Sequence, residues 1–98
     1  MLTREAVNET LRKNKQDMQL QFHVVQIGLF GSYRRDEQRA GSDIDILVEF
    51  EKGHKDLFNY LRLKNYLEEI LGTDVDLVMK EAVKPKLKNL ILGQVSYV

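Results

Sequence analysis

The chain has 98 residues, with 15 basic and 15 acidic side chains and a formal net charge of zero. Leu, Ile, Val and Phe supply 32 of the residues, which is enough for one compact core and too many for a disordered chain. We therefore expect a single domain over residues 1–98. Nucleic-acid binders usually carry a basic excess, so the charge balance argues against direct nucleic-acid binding.

Cysteine is absent, which excludes disulfides, thiol catalysis and cysteine-ligated zinc. The two histidines lie far apart in the sequence, and their spacing predicts no metal-binding pair; we expect His23 on an outer strand position and His54 at a helix start. No apolar run approaches the ~20 residues that a membrane-spanning helix needs. The polar N-terminus shows no signal-peptide pattern, so a soluble cytoplasmic protein without membrane contact is expected.

A helix is predicted at the start of the chain, from Thr3 to about Leu20. Thr3 serves as the N-cap, and Glu5 lies in the first turn, where a carboxylate favours the helix dipole. Apolar side chains recur at helical spacing and form one broad face toward a core. These side chains are Ala6, Val7, Leu11 and Met18.

Two strands are predicted to follow this helix. Residues 22–30 are rich in β-branched and aromatic side chains, which favours a strand that ends at the Gly31-Ser32 turn. One or two helical turns over residues 33–38 then lead to a second strand over residues 43–50. Its apolar side chains alternate with period two, which places them on one face of the strand. These side chains are Ile44, Ile46, Val48 and Phe50.

The second half of the chain alternates helix and strand. A helix is predicted over residues 55–71, ended by Gly72 as a C-cap glycine. A third strand covers residues 74–79, a last helix runs over about residues 83–92, and the tail at 94–98 either adds a short strand or docks on a partner. This order predicts one small α/β domain with helices packed on a short sheet. The inward face of the 55–71 helix is expected to hold Leu57, Leu61, Leu67, Ile70 and Leu71.

Aspartates occur in two of the predicted strands, where this residue type is normally depleted. Asp43 and Asp45 project from the same face, and two such charges repel each other unless a cation lies between them. Hard ions such as Mg²⁺ prefer carboxylate oxygens. If the third strand lies beside the second, Asp76 can approach the same site, and three carboxylates can hold two ions. Alternatively, the Asp43–Asp45 pair marks an exposed edge strand and Asp74 is an ordinary turn residue.

The Gly31-Ser32 turn has features that complement these carboxylates. Glycine lets the backbone approach a phosphate closely, and the Ser32 hydroxyl and helix-start N–H groups can bind phosphate oxygens. Arginines follow at positions 34, 35 and 39 and can reach a polyphosphate. Each feature alone is also compatible with a simple turn or a solvated charged surface. Their conjunction favours a site for a metal-bound nucleotide.

The segment from Gly31 to Phe50 resembles the signature of the nucleotidyltransferase superfamily, in which Gly-Ser is followed after ten residues by Asp-x-Asp. The resemblance is strongest to the minimal nucleotidyltransferase (MNT) family, whose members have about this length and are commonly encoded beside a HEPN-domain protein. It covers nearly the whole chain, including the closing segment 75–98. It implies a nucleotidyltransferase fold with a short mixed β-sheet flanked by helices.

The resemblance implies catalytic and binding roles for particular residues. Gly31 and Ser32 match the phosphate-binding turn, and Asp43 and Asp45 match the metal-binding pair. Asp76 matches the third carboxylate, which in the superfamily helps to bind metal or activates the nucleophile. All three aspartates are therefore expected to be catalytic and to bind metal.

Two further positions match the family, and two depart from it. Arg35 matches a frequent arginine of the family pattern and Ser42 matches the residue before the carboxylate pair, so both are expected to bind nucleotide. Arg34 stands where a small residue is common, and Asp36 stands where glycine is common. Asp36 adds a negative charge near the expected nucleotide site but removes no catalytic group.

The implied reaction is nucleotidyl transfer, in which a hydroxyl attacks the α-phosphate of ATP and pyrophosphate leaves. Positioning and two Mg²⁺ ions would supply most of the catalysis. The family implies that the acceptor is a tyrosine hydroxyl on a partner HEPN toxin, which AMP addition silences, so that the chain acts as the antitoxin. The short chain favours an acceptor presented by a second protein. Two alternatives stay open: a non-catalytic antitoxin that binds nucleotide or toxin, and a small-molecule nucleotidyltransferase.

Overall fold

A computed structural model describes residues 3–30, 44–86 and 93–98 of the chain. The predicted helical turns at 33–38 and most of the last predicted helix, from residue 87 to 92, lie outside these ranges. None of the helices that the structure describes is both long and apolar enough to cross a membrane. Within the described ranges, three helices have defined bounds, α1 (Arg4–Lys13), α2 (Lys15–Phe22) and α3 (Leu57–Leu71), and a short 3₁₀ helix lies at Lys80–Ala82. The strands are β1 (Val24–Leu29), β2 (Ile44–Phe50), β3 (Val75–Met79) and β4 (Ser96–Tyr97).

The predicted N-terminal helix is interrupted at Asn14 and forms α1 and α2 instead. Thr3 caps α1 as expected, because its hydroxyl oxygen accepts a hydrogen bond of 3.0 Å from the Ala6 N–H. Asn14 has φ −102° and ψ 6°, and its side-chain amide donates to the Thr10 carbonyl at 2.8 Å. Such local bonds compete with the helical ladder, so α2 begins anew at the next residue. Of the predicted inward face, Val7, Leu11 and Met18 are buried, whereas Ala6 is exposed.

The first strand begins later than predicted, because α2 continues to Phe22. His23 ends α2 in the left-handed backbone region, with φ 59°, and its N–H donates to the Met18 carbonyl. The prediction that His23 lies on a strand is therefore wrong. Positive φ is uncommon for residues other than glycine, although histidine adopts it more readily than most.

The four strands form one sheet in the order β3-β2-β1-β4. β2 pairs in parallel with β3, while β1 is antiparallel to both β2 and β4. The sheet is thus mixed, as the resemblance implied, and the tail supplies the short strand that was one of its two predicted roles. Gly28 allows β4 to approach β1 closely, since a Cβ atom at this position would lie 2.5 Å from the Ser96 carbonyl oxygen.

The hydrophobic core lies between the described helices and one face of the sheet. α1 and α2 contribute Val7, Leu11 and Met18, all fully buried, and Phe22 packs beside them. The predicted inward face of β2 is confirmed, since each of its four members is at most 2% exposed. Alternation along the strand then turns the remaining β2 side chains toward the opposite face of the sheet. The four inward members are Ile44, Ile46, Val48 and Phe50.

Helix α3 packs on the core through a stripe of residues spaced by four. The helix begins at Leu57, two residues later than predicted, because the Asp56 carboxylate caps it by accepting a 2.7 Å bond from the Asn59 N–H. Leu57 and Leu61 are 70% and 46% exposed, so their predicted inward position is wrong. Gly72 ends the helix as predicted, with φ 69°. The buried stripe consists of Asn59, Leu63, Leu67 and Leu71.

Candidate active site at the carboxylate edge of the sheet

Two of the three predicted metal-binding aspartates, Asp45 and Asp76, lie on neighbouring parallel strands. They are direct register partners in the β2–β3 pair. In-register residues of parallel strands point to the same face, and their backbones lie about 4.8 Å apart. The condition for a shared site, that the third predicted strand lies beside the second, is therefore met.

Both carboxylates lie on the face of the sheet opposite the helical core. Their neighbours Ile46 and Leu77 point into the core and are 0% and 3% exposed. By alternation, Asp45 and Asp76 point away from it. Asp45 is half-buried and Asp76 is exposed, so this face offers oxygen ligands that a cation from solvent can reach.

Backbone hydrogen bonds hold the beginning of β2 between its two neighbours. The Phe30 N–H donates to the Asp45 carbonyl at 3.1 Å, and the Ile44 N–H donates to the Asp74 carbonyl at 3.2 Å. Asp74, which the sequence left open as a turn residue, precedes β3 and joins the ladder through its backbone. These bonds fix the relative position of Asp45 and Asp76.

Helix α3 also positions the beginning of β3, through Glu68. The Glu68 Oε2 atom accepts bonds from the Val75 N–H at 3.0 Å and from the Lys64 Nζ at 2.9 Å. The Lys64 bond, followed by the Val75 bond, holds the pKa of Glu68 below its usual 4.5, and the same Lys64–Glu68 bond raises the pKa of Lys64. Because Val75 directly precedes Asp76, its bond to Glu68 helps to fix the backbone next to the candidate site.

Tyr60 makes a second contact between α3 and β3. Its hydroxyl donates a 2.6 Å hydrogen bond to the Leu77 carbonyl, one residue beyond Asp76. Neither Tyr60 nor Glu68 was identified from the sequence. The i,i+4 spacing of Lys64 and Glu68 is visible there, but nothing in the pattern indicates that the carboxylate also reaches a strand.

The other predicted site residues lie outside the described residues. The structure therefore does not test the phosphate-binding turn, the first aspartate of the metal-binding pair or the two further nucleotide-binding positions, and their roles stay predictions. The same holds for the arginines and the aspartate at positions 34, 36 and 39. The predicted site residues concerned are Gly31, Ser32, Arg35, Ser42 and Asp43.

At the opposite end of β2 the structure brings the two histidines together. The rings of His23 and His54 stack with centroids 3.6 Å apart and an interplanar angle of 14°. Glu51 joins them, with its Oε2 atom 3.8 Å from the His23 Nδ1 atom. The sequence spacing did not indicate this contact, which arises because the end of α2 and the segment before α3 meet at the end of β2.

Comparison with known proteins places this chain in a family. Residues 7–98 match the nucleotidyltransferase domain family. Among individual relatives, the protein adenylyltransferase MntA of Thermococcus cleftensis is 43% identical over 98 residues, which is 100% of this chain and 98% of the relative.

Solved structures with the same fold support this assignment. One described as "Structure of putative minimal nucleotidyltransferase" has a TM-score of 0.83 and 33% identity, over 97% of this chain and 95% of that chain. A toxin–antitoxin structure with AMP-PNP has a TM-score of 0.68 and 29% identity, over 98% and 72% of the two chains. A tri-AMPylated Shewanella oneidensis HEPN toxin in complex with MNT antitoxin gives 0.67 and 25%, over 97% and 71%. The chain therefore belongs to the nucleotidyltransferase family and resembles its minimal, MNT-type members.

Proposed function

We propose that this protein is an antitoxin that transfers AMP from ATP to a tyrosine hydroxyl of a partner HEPN toxin. A bond forms between the hydroxyl oxygen and the α-phosphorus, the bond from that phosphorus to the bridging oxygen breaks, and pyrophosphate leaves. The observation that carries the proposal is the in-register pairing of Asp45 with Asp76 on the face of the sheet opposite the helical core. Similarity to a protein adenylyltransferase and to an MNT–HEPN complex supports the acceptor class.

The carboxylate edge, formed by Asp45 and Asp76 near the beginning of β2 and β3, has ligands that suit Mg²⁺. Asp45 and Asp76 offer oxygen ligands from adjacent strands, and Asp43 is proposed as a third. Mg²⁺ is usually held by one or two carboxylates together with substrate phosphates and water, which agrees with this donor set. Two such ions, when bound, would neutralise phosphate charge and stabilise the attacking and leaving oxygens.

The chain's own residues are proposed to orient the reactants. Backbone N–H groups at Gly31 and the Ser32 hydroxyl bind phosphate oxygens, and Arg35 and Ser42 add further donors. Asp76, the more exposed of the two described carboxylates, accepts the proton of the attacking hydroxyl. Since ATP is the donor, we place the reaction in the cytoplasm.

Intact mass spectrometry tests this proposal. A purified HEPN partner is incubated with the protein, ATP and Mg²⁺, and we expect added mass in whole AMP units that maps to a tyrosine. If the partner's mass stays unchanged while an Asp43→Asn, Asp45→Asn variant still protects cells, the protein is a non-catalytic antitoxin. If the partner stays unmodified while a small hydroxylated acceptor gains AMP, it is a small-molecule nucleotidyltransferase.

A further inference from the structure

We propose a second metal site, for Zn²⁺ or a similar transition ion, formed by His23, Glu51 and His54. The three side chains offer two imidazole nitrogens and a carboxylate oxygen, all within 4.8 Å of one another. Two histidines and one carboxylate are a typical ligand set for Zn²⁺, whereas Mg²⁺ prefers oxygen ligands alone. The site goes beyond the proposed function, because it shares no residue with the carboxylate edge.

Backbone hydrogen bonds join the three residues into one unit. The Glu51 N–H donates to the His23 carbonyl at 2.8 Å, and the His54 N–H donates to the Glu51 carbonyl at 3.0 Å. His23 is held in its left-handed conformation at the end of α2. Because the backbones of all three ligands are fixed in advance, metal binding has to order only side chains, which favours affinity.

The donor atoms can close around an ion by side-chain rotation. Zinc lies about 2.0–2.2 Å from its nitrogen and oxygen ligands, so the donors must approach each other to roughly 3.3 Å. The His23 and Glu51 side chains are 38% and 54% exposed, which leaves solvent space for this movement. Two parallel stacked imidazoles cannot direct their in-plane lone pairs at one ion. Binding is therefore expected to take the rings of His23 and His54 out of their stack.

The surroundings of the cluster suit a partly hydrated cation. A surface depression of about 270 Å³ adjoins both histidines and leaves room for water ligands. Two charged residues line it: Asp56, which caps α3, and Arg62, whose guanidinium lies 5.2 Å above the Phe22 ring. The charges of Asp56 and Arg62 are opposite, and the Glu51 carboxylate adds a negative charge 3.8 Å from the His23 Nδ1 atom, which favours a cation among the three ligands.

The histidine cluster is well separated from the carboxylate edge. Asp45 is the second residue of β2 and Glu51 follows its last residue, so six residues at about 3.3 Å each separate them by roughly 20 Å. The chain contains only two histidines and no cysteine. Any imidazole-ligated metal signal must therefore come from this cluster.

To test the site, the full chain is titrated with Zn²⁺ in excess Mg²⁺. Calorimetry measures the binding, and the NMR signals of the imidazoles show which side chains respond. We expect one equivalent to shift both histidines. His23→Asn, which keeps a residue that tolerates positive φ, and His54→Gln should each weaken Zn²⁺ binding at least about tenfold. Glu49→Gln, an acidic residue two positions before Glu51, serves as the matched control and should bind zinc as the wild type does.

Two outcomes would overturn the site. One is a Zn²⁺ affinity that is the same in the wild type and in both histidine variants, with the fold of each variant verified by its amide NMR spectrum. The other is saturation with Zn²⁺ that leaves the imidazole signals unmoved. Both readouts are independent of AMP transfer, so the metal site and the proposed function fail separately.

Discussion

The two ends of β2 carry different chemistry. At its beginning, Asp45 pairs with Asp76 of the parallel strand and offers oxygen ligands. Beyond its end, Glu51 meets two histidines and offers nitrogen and oxygen together. Between these two groups, β2 contributes Ile46, Val48 and Phe50 to the core. One short strand thus separates a set of donors that suits Mg²⁺ from one that suits Zn²⁺.

The largest expected effect comes from Asp45→Asn, which removes a charge at the carboxylate edge without changing side-chain size. We expect AMP transfer to the HEPN partner to slow at least about 100-fold. Removing a residue that only hydrogen-bonds to a metal ligand already lowers metal affinity or activity about 10–100-fold, and Asp45 is proposed as a ligand itself. Initial rates of partner modification measure this. The matched control is Glu49→Gln, on the same strand and face, where the carboxylate lies 3.5 Å from the Lys80 Nζ. Equal losses in both variants would contradict the assignment of Asp45.

An intermediate effect is expected at the histidine end from Asn59→Ala. The buried Asn59 side-chain amide donates to the Phe22 carbonyl at 2.7 Å and to the His54 carbonyl at 3.0 Å. Its loss leaves a buried acceptor unpaired and should lower the free energy of unfolding by about 1–3 kcal/mol. Urea denaturation measures this change. Asn65→Ala, at an exposed position of the same helix, is the control and should stay within about 0.5 kcal/mol of the wild type.

The smallest effect is expected from Glu68→Gln, and it depends on pH. The pKa of Glu68 is lower in the folded protein than its usual 4.5, so the negative charge of Glu68 stabilises the fold at pH values above 4.5. This contribution is lost as the pH falls through the lower folded pKa. The melting temperatures of wild type and variant should therefore differ near pH 7 and converge as the pH falls below the folded pKa of Glu68. Glu69→Gln, the exposed neighbour, is the control, and a difference that widens on acidification would contradict this account.

The carboxylate edge could be predicted because strand alternation alone decides most of its geometry. The period of two in residues 44–50 places the Asp45 side chain on the face of the strand opposite the core. Asp76 could lie near it if the third predicted strand paired with the second, as it does. The register that makes Asp45 and Asp76 partners was not predictable. It depends on hydrogen bonds between segments that lie apart in the chain. The Phe30 and Ile44 N–H groups donate two of them, and the Glu68 carboxylate accepts a third.

The errors arise where distant contacts override local pattern. The helix break at Asn14 is held partly by Tyr66, whose hydroxyl donates to the Asn14 Oδ1 atom at 3.0 Å from 52 positions away. On α3, the helical spacing predicted an apolar stripe but not which side chains belong to it. Leu57 was therefore expected to be buried, and Leu63 was missing from the predicted inward face. The histidine pair depends on the chain path through His23, which no residue pattern indicates.

A double-mutant cycle of Asp45→Asn and Asp76→Asn tests whether the two carboxylates form one metal site. The rate of AMP transfer to the HEPN partner is measured for the wild type, both single variants and the double variant, with saturating ATP and Mg²⁺. If both carboxylates serve the same ions, the double variant should lose about as much activity as the slower single variant. A wild-type rate in either single variant, or losses that multiply in the double variant, would contradict a shared site.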